Sequence, residues 1–189
     1  MIKNIIIHHS SAPAGNAGIN YTLAQCNYDH KQRFNMKSSL GYWIGYHYVI
    51  DYSGKITQTR LDTEQGAHCV GYNNSPYDKY SHPERLSIGI CLIGNFDFLQ
   101  PSQAQIKSLT GLLQQKVKEY NIDIKNIVPH RKYSSKSCYG SKLSDDWAQK
   151  LLNSSPVSAP PVAETWQDKF NRLMLASGFI IKDGKWKLK

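Results

Sequence analysis

The sequence predicts an α/β (α+β) domain: a central mixed β-sheet flanked by helices, followed by a small C-terminal helix-plus-hairpin appendage. Three observations predict it. Ile5-Ile6-Ile7 and Ile88-Gly89-Ile90-Cys91-Leu92-Ile93 are short apolar runs with the length of buried strands. Tyr46 to Ile50, the Ser53-Gly54 turn and Lys55 to Arg60 form a hairpin pattern. Ile106, Leu109, Leu112, Leu113, Val117 and Tyr120 recur at helical spacing. Strands and helices mixed in this way pack as helices on the faces of a sheet.

The elements follow in order. Ile2 to His8 reads as a buried strand, and Ser10 to Asn20 as a loop of small and turn residues. Thr22 can cap a helix running through Gln25, His30 and Phe34. The hairpin strand spans Gly45 to Asp51. Ala67 to Ser81 is polar and rich in Tyr and Asn, which predicts a long surface loop. Ser87 to Gly94 is a second buried strand, and Pro101-Ser102 opens the long helix. Ile122 to Val128 is extended and delivers His130. A further helix starts at Leu143 or Ser144 and runs through Trp147, Leu151 and Leu152. The main domain therefore covers residues 1–152.

Residues 153–163 are a linker by composition, since Pro and Ser favour an extended, poorly packed chain. In 164–189, Trp166, Phe170, Leu173 and Met174 make a helical stripe ended by Gly178, and Ile180 to Lys187 a hairpin with an Asp183-Gly184 turn. This appendage is too small to build much core alone.

The chain has 189 residues, 23 Lys and Arg against 14 Asp and Glu, and a formal net charge of +9, which predicts attraction to polyanions. No RNP motif, zinc-finger spacing or recognition-helix signature accompanies the charge, so nucleic acid is not expected as a partner. An anionic cell envelope is the better candidate. Trp166, Phe170 and Trp186 stand among Lys169, Arg172, Lys182, Lys185, Lys187 and Lys189, which suits the appendage to that contact or to docking on the main domain. The apolar part of the N-terminus is too short for a signal peptide, and no stretch approaches the roughly 20 apolar residues of a membrane span. Synthesis in the cytoplasm without an export signal is expected. Cys26, Cys69, Cys91 and Cys138 form no CxxC pair, so reduced thiols are expected.

His130 and Cys138 bound one short polar stretch, and a histidine pair, His8-His9, closes the first strand. Imidazole and thiolate suit zinc, and three protein ligands leave the fourth tetrahedral position open. Water held there becomes a nucleophile near neutral pH. Adjacent strand residues face opposite ways, so only one of His8 and His9 can face a metal. Each residue also has a plainer reading: a packed histidine, a small buried cysteine, a core tyrosine, a solvated lysine. His30 and His47 read as structural, Cys26 and Cys91 as core. His68-Cys69 are adjacent and poorly placed to chelate one ion.

Taken in order, Ile5-Ile6-Ile7-His8-His9-Ser10, Gly45-Tyr46-His47-Tyr48-Val49-Ile50, Gly66-Ala67-His68 through Gly71-Tyr72-Asn73, Ser87-Ile88-Gly89-Ile90 through Gly94-Asn95-Phe96, and His130 to Cys138 give the chain a clear likeness. It resembles the zinc-dependent N-acetylmuramoyl-L-alanine amidases, the family of amidase-type phage lysozymes and peptidoglycan recognition proteins. The resemblance implies His8, His130 and Cys138 as zinc ligands, with the isoleucine run favouring His8 over His9. It implies Tyr46 and Lys136 as catalytic residues and His68, with Asn73, in the substrate groove. It implies hydrolysis of the lactyl–L-Ala amide of peptidoglycan. With no export signal, small size and basic charge, a phage endolysin acting on the cell wall fits best, and a monomer is expected. A wall-recycling enzyme, an interbacterial effector and a non-cutting muropeptide binder are the alternatives. One departure stands out: the family usually has Pro after the ligand Cys, and this chain has Tyr139.

Overall fold

The computed structural model describes residues 1–11, 18–74, 85–153, 179–182 and 185–188, the last two stretches as backbone. Five strands form the main sheet: β1 (Asn4–His9), β2 (Tyr48–Ile50), β3 (Ile56–Gln58), β4 (Ser87–Leu92) and β5 (Ile127–Pro129), in the order β3-β2-β4-β1-β5. β2, β4, β1 and β5 run parallel, and β3 is antiparallel to β2. Among the described residues, three α-helices accompany it: α1 (Leu23–Phe34), α2 (Gln103–Tyr120) and α3 (Trp147–Asn153). The mixed sheet with helices agrees with the sequence reading. No helix among the described residues is long and apolar enough to cross a membrane.

Both long helices begin where side-chain chemistry tells them to. Thr22 and Ser102 each accept a bond from the backbone N–H three residues on, and Gln25 and Gln105 reach back to the cap, completing capping boxes. Asn35 and Asn121 end the helices in the left-handed conformation, with φ of 47° and 51°.

The period of two along the strands splits the core. Ile5, Ile7, Ile88, Ile90, Leu92, Tyr48 and Ile50 pack with Leu109, Leu112 and Leu113 of α2 and Ala148 of α3. On the opposite face, Val49, Cys91 and Ile93 pack with Cys26 of α1 and Ile44. Farther along that face, Ile6 and Val128 pack with Cys69, against Tyr72 and Tyr133. The second face thus has two covers, α1 over β2 and β4 and a loop over β1 and β5. His8 emerges between them, at the carboxyl end of the parallel strands, where open α/β sheets place their ligands.

That loop departs from the expectation of a surface loop over Ala67 to Ser81. Its first part turns inward, leaving His68 7 % and Cys69 3 % exposed. The Asn73 side-chain oxygen accepts the backbone N–H of both His68 and Cys69, at 2.7 Å each, so the turn can be buried without orphaned amides. Residues 75–84 lie outside the described residues. α3 starts later than expected, at Trp147, after a turn closed by the Ser144 carbonyl. β2 is shorter than expected, so Tyr46 and His47 lie just ahead of it.

His47 is fully buried. Its Nδ1 accepts the Gly89 amide at 2.9 Å, and its Nε2 donates to the Glu64 carbonyl at 3.0 Å. Burial pulls its pKa from 6.5 down to about 4. The unfolded chain therefore takes up this proton below about pH 6.5 while the fold refuses it until about pH 4. The stability so contributed is complete above pH 6.5 and is lost as pH falls through that window. Between pH 7 and pH 5 this one residue is expected to cost roughly 2 kcal/mol. Urea unfolding at the two pH values measures the loss, and an NMR titration showing His47 charged at pH 5 in the folded protein would contradict its cause.

In the C-terminal part, β6 (Phe179–Lys182) and β7 (Lys185–Leu188) pair antiparallel with Lys182 opposite Lys185, as the hairpin reading expects. The linker reading from 154 on, the helix bearing Trp166, Phe170, Leu173 and Met174, and the Asp183-Gly184 turn lie outside the described residues.

Candidate metal centre

Register places the two imidazoles. β1 and β5 are parallel with Ile7 opposite Pro129, so the next residues, His8 and His130, stand side by side. Their ring centroids are 4.5 Å apart. His130 opens a one-turn 3-10 helix, His130–Tyr133, and the chain returns so that Cys138 Sγ lies 3.7 Å from His8 Nδ1. One ligand atom from each of His8, His130 and Cys138 falls within 4.8 Å of the other two. Ligand atoms around a tetrahedral zinc are about 3.5 Å apart, so two imidazoles and one sulfur at this spacing fit the ion with little closure.

His9 points to the other face. Its Nδ1 accepts the Phe96 amide at 3.0 Å, which binds the segment after β4 to the end of β1. The geometry thus gathers His8, not His9, with His130 and Cys138.

The protonation states suit a cation. Burial holds the pKa of His8 well below 6.5, and the neighbouring His68 and His130 add to the effect. Burial and then Lys136 lower that of His130. Both rings are therefore neutral at pH 7, with lone pairs to give. Burial pushes the Cys138 thiol up to about 12, so a nearby positive ion is what would make it a thiolate.

The three residues line a cavity of about 330 Å³, together with Tyr46, His68 and Lys136. Tyr46 is held from two sides. His30 of α1 accepts the Gly45 amide at 2.9 Å, and the His8 ring lies 4.9 Å from the Tyr46 ring. The fully buried Arg60 donates to the Met36, Ile44 and Gln65 carbonyls and fixes the segment leading to Tyr46. Burial raises the Tyr46 pKa well above 10, so its phenol keeps its proton. Lys136 is exposed on the loop between His130 and Cys138.

The sequence pattern of the N-acetylmuramoyl-L-alanine amidase family matches residues 1–141, most of the chain. The chain belongs to that family. It is 29 % identical over 143 residues to peptidoglycan-recognition protein SD of Drosophila melanogaster, covering 75 % of this chain and 69 % of that protein. It is 27 % identical over 117 residues to the endolysin of Escherichia phage T7, covering 59 % of this chain and 69 % of that one. Among solved structures, it resembles the endolysin amidase LysCS from Clostridium intestinale URNW at 25 % identity and a TM-score of 0.63, covering 82 % of this chain and 85 % of that one.

In this amidase-family chain, two residues assigned to the substrate groove by resemblance sit differently from one another. His68 lines the cavity, but its ring lies behind His8, with Nδ1 3.2 Å from His8 Nε2. Asn73 does not line the cavity; its side-chain oxygen is taken up by the two backbone amides of the loop carrying His68.

Where the family has Pro, Tyr139 is fully buried. Its hydroxyl lies 2.8 Å from the Ser144 carbonyl oxygen and 3.0 Å from that of Asp145, and its ring meets the edge of Trp147. The larger side chain thus ties the Cys138 loop to the start of α3.

Two residues that hold this loop escaped the sequence reading. Arg131 donates to the Gly140 carbonyl at 2.7 Å, the Leu143 carbonyl at 2.6 Å and Asp145 Oδ1 at 2.6 Å. Asp97 accepts from Ser137 Oγ at 2.8 Å and the Ser141 amide at 2.7 Å. Arg131 directly follows His130, and Asp97 directly follows the Gly94-Asn95-Phe96 segment; those positions were the available signals.

Proposed function

We propose that this protein is a zinc-dependent N-acetylmuramoyl-L-alanine amidase that hydrolyses the lactyl–L-Ala bond of peptidoglycan, acting on the cell wall as a phage-type endolysin. The observation that carries this reading is the convergence of His8, His130 and Cys138 on one point at the floor of an open cavity, in a chain of this family. The likeness to the T7 endolysin supports the lytic role.

Zinc held by these three residues would supply a water activated near neutral pH and a charge polarising the amide carbonyl. The chain's own groups do the rest. His8 and His130 offer neutral nitrogens, and Cys138 offers sulfur. Lys136 stands on the rim, where its ammonium can meet the negative charge that develops on the amide oxygen. Tyr46 keeps a proton at its phenolic oxygen and orients or donates to the groups reacting beside it.

Similarity to recognition proteins favours a second reading, a module that binds muropeptide without cutting it. The complete donor set stands against it. Digestion of purified peptidoglycan followed by mass spectrometry separates the two. The expected products carry a free lactyl carboxylate on the sugar and a free L-Ala amino end on the peptide. Binding with unaltered peptidoglycan, at stoichiometric zinc, would replace the amidase reading with the binder.

A further inference from the structure

Beyond the ligands themselves, Tyr72 presents a backbone carbonyl to the hydroxyl of Ser87, close enough for a hydrogen bond. A carbonyl can only accept, so the hydroxyl proton points at it. The Ser87 oxygen is then left as an acceptor, and His68 Nε2 lies 3.4 Å from it. His68 must therefore carry its proton on Nε2, which leaves Nδ1 bare. That bare nitrogen faces His8 Nε2 at 3.2 Å, so His8 is the donor and carries its proton there. What remains free on His8 is the Nδ1 lone pair, the atom 3.7 Å from Cys138 Sγ.

The space for this chain of bonds is carved by glycine. A Cβ at Gly89 would sit 2.6 Å from His68 Cγ, and one at Gly66 2.8 Å from His68 Cδ2. Both are closer than real side chains approach, so the imidazole occupies room that only glycine leaves at these positions. Asn73 fixes the His68 backbone from behind. The Gly66-Ala67-His68 and Ser87-Ile88-Gly89 segments thus assemble into one device.

We infer that His68, aligned by Ser87 and the Tyr72 carbonyl, is a positioning residue that sets the tautomer and ring orientation of His8 for metal binding. The inference rests on the metal reading proposed above. Outer partners of this kind typically alter metal affinity by about 10–100-fold when removed.

The test uses the full-length protein and zinc alone. Competition with a chromogenic chelator is expected to show His68→Leu binding zinc about 10–100-fold more weakly. His68→Asn places an amide oxygen where Nδ1 was and is expected to stay within about threefold of the parent. Cobalt substitution gives a spectroscopic readout: the visible absorption of the His68→Leu site should shift, while that of His68→Asn should not. Long-range proton–nitrogen NMR reads the parent protein directly, with and without zinc. It should find the His68 proton on Nε2 in both. A proton on Nδ1, or His68→Leu with unchanged zinc affinity and cobalt spectrum, overturns the inference while leaving the amidase reading intact. A parent protein that binds no zinc overturns the amidase reading, and the metal-free NMR spectrum still decides the tautomer.

Discussion

Cys138→Ala is expected to leave a folded protein that neither retains zinc nor cuts peptidoglycan, a loss of at least about three orders of magnitude in turnover. Cys138 contributes the only sulfur of the triad, and its Sγ lies 3.7 Å from His8 Nδ1. Alanine leaves two imidazoles, which do not complete a site of three protein ligands. The fold should tolerate the change. The removed atom is small, and its loop stays clasped by Arg131 and Asp97. A cost of about 1 kcal/mol is typical for so small a truncation. Thermal unfolding with and without zinc separates ligand loss from damage. The parent gains stability from a bound ion by linkage, about 4 kcal/mol at a thousandfold excess over Kd, and the variant should gain none. Stoichiometric zinc and retained turnover in Cys138→Ala would remove the sulfur from the mechanism.

The largest expected effect on stability alone comes from Asp62→Ala. Asp62 is 7 % exposed and receives Lys116 Nζ at 2.6 Å and the Tyr120 hydroxyl at 2.8 Å on one oxygen, with the Tyr48 hydroxyl at 2.7 Å on the other. Lys116 is 5 % exposed, on the face of α2 that packs against the sheet. Removing the carboxylate strands a buried ammonium and takes the acceptor from two phenols. Breaking a buried pair on one side costs about 3–5 kcal/mol. Glu119, 2.8 Å from Lys116 and partly exposed, offers a residual partner, so the lower end of that range is expected. The double variant Asp62→Asn with Lys116→Met leaves no charge at this pair and should recover much of the loss. Urea unfolding measures all of these; a loss below about 1 kcal/mol for Asp62→Ala would mean that Glu119 alone satisfies the lysine.

Some of this was legible in the sequence and some was not. The sheet was, because Ile5-Ile6-Ile7 and Ile88 to Ile93 are strand-length apolar runs and Leu109, Leu112 and Leu113 keep a helical period. The starts of α1 and α2 were, because Thr22 and Ser102 act through neighbours three residues away. Strand alternation said only that one of His8 and His9 could face a metal; the family likeness favoured His8, and the register with β5 sets His8 beside His130. The inward turn at His68 was not legible. It depends on Asn73 and on Ser87, fifteen residues beyond Tyr72, meeting backbone groups that no local pattern reveals. Arg60, Arg131 and Asp97 were missed for the same reason: a charged side chain reads as solvated until the fold surrounds it with carbonyls or amides.

The pairing of Ile7 with Pro129 decides where this chain can change length. A single inserted or deleted residue in β1 or β5 would turn one histidine to the wrong side of the sheet and part the pair. Between Lys132 and Ser137 no ladder counts residues, and Arg131 and Ser137 anchor the two ends of the segment. Engineering of loop size, and with it of the entrance beside Lys136, therefore belongs in that segment rather than in β1 or β5.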